Sequence, residues 1–378
     1  KLIKDQLDGL DTYVAGSATV NFVFDRYIST KSELRGTTMR NYKYMYDRFI
    51  RNGFGKKKIA AIKFSDVLQF YQHLIKEKEM QINTLETIHT VLHPTFQLAV
   101  RDDIIRNNPS DGVMAQIKKQ PGKNHGIRHA LTLEQQRAFI NYIESNPAYY
   151  RWTSLFKFLL GTGCRIGEAI GIRWEDVDFE KRVISINHSL VYYSREFKEH
   201  PMCTFSISLP KTEAGIRSIP MMDAVYDALR AEFADQQENG FNETEIDGMK
   251  GFIFMNRFGY VHNPQSINRA IKRIYESYNA EEVVNASKQH REPVLIPHFS
   301  CHHLRHTFCS RFCENETNLK VIQSIMGHAN IVMTLNYYAH ATFHSAQEEM
   351  ERLQAKAKTT AEAKPEPAAE SAEETKAA

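Results

Sequence analysis

Cysteine is scarce in this 378-residue chain. The five present (Cys164, Cys203, Cys301, Cys309 and Cys313) are odd in number and irregularly spaced. That excludes a disulfide framework and points to a reduced, intracellular protein. No stretch of roughly 18 apolar residues occurs and no signal-peptide pattern opens the chain, so no membrane partner is expected. A strong excess of one charge is missing too. Lys and Arg number 48 and Asp and Glu 45, a net of +3, which by itself implies no polyanion. Internal repeats are absent. The chain begins at Lys1 without a methionine, and a missing native N-terminus is expected.

What is there divides unevenly. Residues 1–129 carry 21 Lys/Arg against 13 Asp/Glu, a net of +8; residues 130–350 carry 22 against 26, a net of −4. The asymmetry suggests that the N-terminal part rests on a polyanion. Hydrophobic residues make up 42% and charged residues 25%, ordinary for a globular chain of roughly two or three domains.

Residues 18–111 read as a helical bundle. Phe22, Tyr27 and Ile28 are the apolar positions of a first helix. A second, opening at a Thr cap, closes at Gly53. A third carries Leu68, Phe70, Tyr71 and Leu74 after Ser65-Asp66. Leu85, Ile88, Leu92, Phe96 and Ala99 recur every three or four residues as one face of a long helix, ended by Asn107-Asn108-Pro109. Residues 112–129 hold Pro, Gly and basic residues without periodicity and read as an interdomain linker. Residues 130–354 open with a Thr132…Gln135 capping box. Strands are expected at 182–186, 203–209 and 216–220, with Lys211–Gly215 as a hairpin turn. Helices are expected at about 222–237, 264–278, 300–313, 318–326 and 342–354. Residues 1–17 look like a linker from something upstream, and 355–378 like a disordered tail. The class is mainly α (α+β), with a small antiparallel sheet on the larger domain.

The chemistry concentrates in two stretches. Thr162-Gly-Cys-Arg165-Ile-Gly-Glu168 places an arginine between glycines at a helix start. Residues 297–340 hold His302, Arg305, His306, Gly327-His328 and Tyr337-Tyr338. Guanidinium groups present paired donors that match a phosphate's non-bridging oxygens. Imidazole moves protons near neutral pH. A phenol can attack phosphorus and conserve the bond energy in an ester. The set suits phosphodiester chemistry without a metal or other cofactor. Each member also has a structural reading: Arg165 in a salt bridge with Glu168, the histidines in the core, the tyrosines in packing. A zinc site from Cys301, His302, His303, His306, Cys309 and Cys313 is the competing reading, but their spacing matches no finger or ribbon.

Together these residues resemble the tyrosine recombinase (phage integrase) family over roughly residues 18–350. Its pattern is T-G-x-R-x-x-E, a hairpin lysine, H-x-L-R-H-T, (L/M)-G-H and Y-x-H. Here it is met by Thr162-Gly163-Cys164-Arg165 with Glu168, Lys211, His302-His303-Leu304-Arg305-His306-Thr307, Met326-Gly327-His328 and Tyr338-Ala339-His340. The resemblance implies a helical SAM-like core-binding domain followed by the family's catalytic domain. Arg165 and Arg305 would hold the scissile phosphate, Lys211 would be the general acid, and His302 the base and acid partner. His328 would hydrogen-bond the phosphate and Tyr338 would be the nucleophile, with Glu168 and His306 in support. Position 303 departs from the family, holding His where an acidic residue is common, and 188–203 look like an inserted hairpin. Residues 1–17 would be the trailing edge of an arm-binding domain. The resemblance further implies double-stranded DNA as partner, a homotetramer on DNA, accessory excision or bending proteins, and the bacterial cytoplasm as setting. Candidate phosphate contacts are Arg40, Lys43, Arg48, Arg51, Lys56, Lys57 and Lys58. The expected role is a mobile-element integrase; a chromosome-resolving recombinase and a non-catalytic DNA-binding regulator are the alternatives. The segment 341–353 is expected to dock on a neighbouring protomer.

Overall fold

The computed structural model describes residues 16–34, 36–119, 130–195, 202–210, 212–315 and 318–335. The chain falls into two compact units divided between residues 127 and 128. Among the described residues no helix is long and apolar enough to cross a membrane.

The first unit is all helical: α1 (Val20–Ser29), α2 (Gly36–Tyr46), α3 (Phe64–Glu77), α4 (Ile82–Arg101) and α5 (Val113–Lys118). The Thr19 hydroxyl caps α1 by accepting from the Phe22 amide at 3.2 Å. Its buried stripe is Val20, Val23, Phe24 and Tyr27. Phe22, expected inside, is 51% exposed; it sits about 200° around the helix from Val20. α2 runs on through a π turn at Asp47–Arg51 and the helix closes before Gly53, as expected. Asp66, expected within the cap of α3, accepts from the Lys63 amide at 2.9 Å. α4 buries Leu85, Ile88, Leu92, Phe96 and Ala99, the face its period predicts. Each of the four larger side chains contributes roughly 1.5–3 kcal/mol by leaving water. The helix stops at Arg101, earlier than Asn107-Asn108-Pro109. Asp103 takes φ +53 and the chain folds back, so the Ile104 and Ile105 amides reach the Ala99 carbonyl. The first part of the linker expected over 112–129 is helix instead. Val113, Met114 and Ile117 of α5 are buried in the bundle core, a fourth-residue spacing too short to show as periodicity.

The second unit carries α6 (Leu133–Ser145), α7 (Thr153–Thr162), α8 (Ile166–Gly171), β1 (Val177–Asp178), β2 (Val183–Ile186), β3 (Ser189–Arg195) and β4 (Met202–Ser208). It continues with β5 (Arg217–Pro220), α9 (Asp223–Asn239), α10 (Pro264–Lys288), α11 (Cys301–Asn315) and α12 (Leu319–Met326). Thr132 and Gln135 form the expected reciprocal cap on α6, at 3.1 and 3.0 Å. α10 runs ten residues past its expected end, started by Asn263 accepting from the Ser266 amide at 2.7 Å with Pro264 at the first helical position. β2, β4 and β5 lie where strands were expected, but their pairing departs from expectation. β4 pairs with β3 and β5 with β2, all antiparallel, so the order is β1-β2-β5 beside β3-β4. The chain between β4 and β5 therefore links two sheets and is not a hairpin turn. β3 and β4 pair as a hairpin from Ser189 to Ser208, five residues beyond the 188–203 expected for it. Phe139, Phe156, Phe158 and Phe252 anchor the core between helices and sheet. The helix expected at 342–354, the segment 341–353, residues 1–15, 120–129 and the tail lie outside the described residues.

Candidate active site

The site is built on two turns with left-handed glycines. α7 ends at Gly163, φ +61, and a Cβ there would lie 2.3 Å from Phe308 Cδ1. Only glycine fits both the backbone and the space. Arg165 then opens α8. Its amide donates to Glu168 Oε2 at 2.8 Å and its Nη1 to Glu168 Oε1 at 2.8 Å. The residue spacing R-x-x-E thus serves as an N-terminal cap and an ion pair at once.

The second turn is the end of α12. Gly327, φ +60, closes the helix while the amides of Gly327 and His328 return to the Ser324 and Gln323 carbonyls at 3.1 Å. The last carbonyls of a helix lack intrahelical donors. Here three successive ones each accept from a different arginine. Arg217 Nε donates to Ile325 O at 2.7 Å, Arg305 Nη2 to Met326 O at 2.6 Å, and Arg165 Nη2 to Gly327 O at 3.2 Å. Arg305, buried on α11, also donates Nη1 to Gly163 O at 2.6 Å, tying the two turns together. Arg217 grips Glu168 from the other side, Nη2 to Oε2 at 2.8 Å and Nη1 to Oε1 at 3.2 Å.

Three guanidiniums around one carboxylate leave a net of two positive charges. Burial alone would raise Glu168, but hydrogen bonds and charge from Arg217, then the charge of Arg165, hold it at about 2. Arg305 is pushed down to about 10, first by burial and then by the charge of Arg165. His328 is buried beside them. Burial, then the charges of Arg305, Arg165 and Arg217, bring it to about 4. It is neutral at working pH. Its Nδ1 lies 3.0 Å from the Thr334 hydroxyl; when that hydroxyl donates, the ring carries its proton on Nε2.

His302 lies exposed at the first turn of α11 and His306 half-buried one turn on, so α11 carries His302 and Arg305 together. His303, the departure from the family pattern, accepts the Ser300 amide through Nδ1 at 3.2 Å, the capping work an acidic residue does there. Arg165, Glu168, Arg305 and His328 thus meet in one place. Lys211 and Tyr338, with Tyr337 and His340, lie outside the described residues. Cys164, Cys301, Cys309 and Cys313 are buried as free thiols among apolar side chains. Among the described residues no three His, Cys, Asp or Glu side chains gather as metal ligands.

Sequence reasoning passed over Arg217, whose strand Arg-Ser-Ile-Pro gives no sign that the charged residue points inward. It also passed over a basic cleft of about 670 Å³ around the start of α10, lined by Arg151, Arg257, Arg269, Lys272 and Arg273. The signal for it was present in the i, i+3, i+4 spacing of Arg269, Lys272 and Arg273. His262 forms one wall, its ring tilted 35° to that of Trp152 with the centroids 4.7 Å apart.

In the first unit, Lys43, Arg48, Lys56, Lys57 and Lys58 are exposed, and Arg40 is half-buried with Nε on the Gly36 carbonyl at 3.0 Å. Arg48 lies over the Tyr44 and Phe49 rings. Arg51 differs. It is paired with Asp25 at 2.8 Å and with Asp47, so a phosphate there would compete with two carboxylates.

Comparison with known proteins identifies the family. Residues 129–345 match the phage integrase family, and residues 19–75 match its N-terminal SAM-like domain. The transposase of transposon Tn916 from Enterococcus faecalis is 33% identical over 353 residues, 93% of this chain and 81% of that protein. The Tn1549 transposon integrase, solved in complex with a circular intermediate DNA, superimposes with a TM-score of 0.73 at 32% identity, covering 89% of this chain and 100% of that one. A lambda integrase tetramer bound to a Holliday junction shares the fold, with a TM-score of 0.58 at 17% identity over 85% of this chain and 77% of that one. The chain belongs to the phage integrase family, the tyrosine recombinases that break and rejoin DNA strands.

Proposed function

We propose that the chain integrates and excises a mobile genetic element, recombining specific DNA sites through a 3′-phosphotyrosine intermediate. The observation that carries this reading is the doubly positive cluster of Arg165, Arg217 and Arg305 around Glu168, with neutral His328 beside it. A phosphodiester brings one negative charge, and its five-coordinate transition state brings more. A fixed pair of excess positive charges stabilises the second more than the first.

In this reading Arg165 and Arg305 hold the non-bridging oxygens and His328 donates to one of them. The Tyr338 phenol oxygen attacks phosphorus while His302 takes up its proton. The bond to the 5′ oxygen breaks, and Lys211 protonates the departing hydroxyl. Rejoining reverses the step: a 5′-hydroxyl from the partner strand attacks the phosphotyrosine and releases Tyr338. The ester conserves the bond energy, so neither nucleotide nor metal enters. Glu168 and His306 support the site. The transposon relatives at 32–33% identity favour a mobile element as the setting.

The partners are double-stranded DNA at the element ends and target, three further copies in a tetramer on that DNA, and accessory bending or excision proteins, in the bacterial cytoplasm. Phosphate contacts come from Arg40, Lys43, Arg48, Lys56, Lys57 and Lys58 on the first unit, and from Arg151, Arg257, Arg269, Lys272 and Arg273 on the second. The test is covalent trapping on nicked suicide DNA, with wild type, Tyr338→Phe and Tyr337→Phe compared on a denaturing gel. An adduct lost only in Tyr338→Phe is expected. No adduct from any of the three, on DNA they bind, would replace the recombinase by a DNA-binding regulator.

A further inference from the structure

Arg217 holds none of the family's motif positions, yet its side chain is 3% exposed and hydrogen-bonds directly to the Glu168 carboxylate and the Ile325 carbonyl of the site. It grips both oxygens of Glu168 and the Ile325 carbonyl, and its Nη1 stands where a Cβ on Gly327 would come within 2.9 Å. It therefore joins the Arg165–Glu168 turn, β5 and the Gly327-His328 turn. We propose that Arg217 is a positioning residue for strand cleavage: it shares the Glu168 carboxylate with Arg165, so that Arg165 is left for the phosphate, and it keeps the cluster at two positive charges. This rests on the recombinase reading above.

The charge count makes the idea testable. With Arg217 the cluster holds three cations and one anion. In Arg217→Gln it holds two and one, a net of +1, and Glu168 has Arg165 as its remaining ion-pair partner, which draws that guanidinium inward. The groups facing Glu168 are Arg165 and Cys164 from the turn before α8, Arg217 from β5 and Arg305 from α11. Removing Arg217 takes away the hydrogen bonds and charge that most favour the ionised carboxylate, so Glu168 takes a proton at a higher pH than in the wild type. Each protonation returns the cluster to +2. Arg217→Gln should therefore recover relative to wild type as pH falls. The double variant Arg217→Gln/Glu168→Gln, with two cations and no anion, should recover at every pH.

The experiment is single-turnover adduct formation on nicked suicide DNA by the full chain across pH, with DNA affinity and melting temperature measured on the same preparations. Arg217→Gln should cleave about 100-fold more slowly at neutral pH. Arg217→Lys, which keeps the charge but loses the two-pronged grip, should lose about 10-fold. The double variant should regain about 10-fold over Arg217→Gln. A residue that only held the fold together would give a double variant no better than the single one and a defect flat with pH; that result overturns the proposal, as does Arg217→Gln cleaving at the wild-type rate. Wild type forming no adduct on DNA it binds overturns the recombinase reading and this proposal together.

Discussion

The glycine at 163 offers the sharpest test of how the fold places the chemistry. Alanine there meets two obstacles. The backbone sits at φ +61, a left-handed conformation that costs a side-chain-bearing residue about 1 kcal/mol or somewhat more. The new Cβ would also stand 2.3 Å from Phe308 Cδ1 and 2.9 Å from Cε1. Phe308 is buried and stacked on Phe312 at 5.6 Å, so its ring has no free path away. Forcing it aside adds about 1–3 kcal/mol. The sum, about 2–4 kcal/mol, corresponds to roughly 4–16 °C in melting temperature for a unit of this size. Gly248→Ala is the control in the same unit: φ is +82 but nothing lies within 4 Å, so only the backbone cost of about 1 kcal/mol applies. Function should suffer as well. The Gly163 carbonyl receives Arg305 Nη1 at 2.6 Å, and shifting it moves the arginine. A misplacement on the order of 1 Å costs about 100-fold in rate. Calorimetry of the two variants, with adduct formation on suicide DNA, checks both claims. Equal melting of Gly163→Ala and Gly248→Ala would refute the steric argument. A lowered melting temperature with wild-type cleavage would refute the link to Arg305.

Glu168→Ala should destabilise the second unit by about 3–5 kcal/mol, because it leaves the buried Arg217 cation without its carboxylate; a melting temperature within error of wild type would contradict it. Acid should weaken the same unit through His262 and His328. Burial is the first cause in both of a folded pKa near 4 against an ordinary 6.5, so the unfolded chain takes the proton first. Stability is whole above pH 6.5 and declines as pH falls to about 4. Each histidine accounts for roughly 3 kcal/mol, and His262→Gln should flatten the decline seen in denaturant titrations by about that much. On DNA, Arg269→Ala or Arg273→Ala should lower the slope of log affinity against log salt by about 1, measured by anisotropy; an unchanged slope would remove the α10 cleft from the interface.

The parts of the molecule that were legible in the sequence are those whose chemistry or period is local. The apolar face of α4 repeats every three or four residues over five turns, and tertiary context had nothing to override. Arg165, Glu168, Arg305 and His328 stand out because a guanidinium beside glycines or in an apolar helix needs a partner, and the partners proved to be each other and the backbone. The strand pairing was not legible. β4, the following turn and β5 have the composition of a hairpin, while the actual partner of β5 is β2, more than thirty residues earlier. Arg217 was hidden for the same reason. Along Arg-Ser-Ile-Pro the arginine and isoleucine share a face, and only the β2 pairing and the end of α12 turn that face inward. The early stop of α4 was hidden because a non-glycine residue, Asp103, supplies the left-handed turn.

The way the three arginines are held explains how a site can be charged yet folded. Gathering like charges in a buried place is costly, and the lowered pKa of Arg305 records that cost. Two more carboxylates would remove it, but they would also compete with the phosphate for the same donors. The protein uses one carboxylate, the last two carbonyls of α12 and that of its Gly327 cap instead. Those carbonyls form the partly negative end of the helix and satisfy the inner guanidinium donors without cancelling a full charge. On the proposed reading, the remaining repulsion is relieved when the phosphate enters, most fully at the transition state where negative charge is greatest. The Gly327 turn is thus part of the electrostatics as well as the backbone. It sets the direction of the carbonyls that hold the arginines, and it hands the chain on to His328, whose ring burial first, and then the charges of the same arginines, keep neutral.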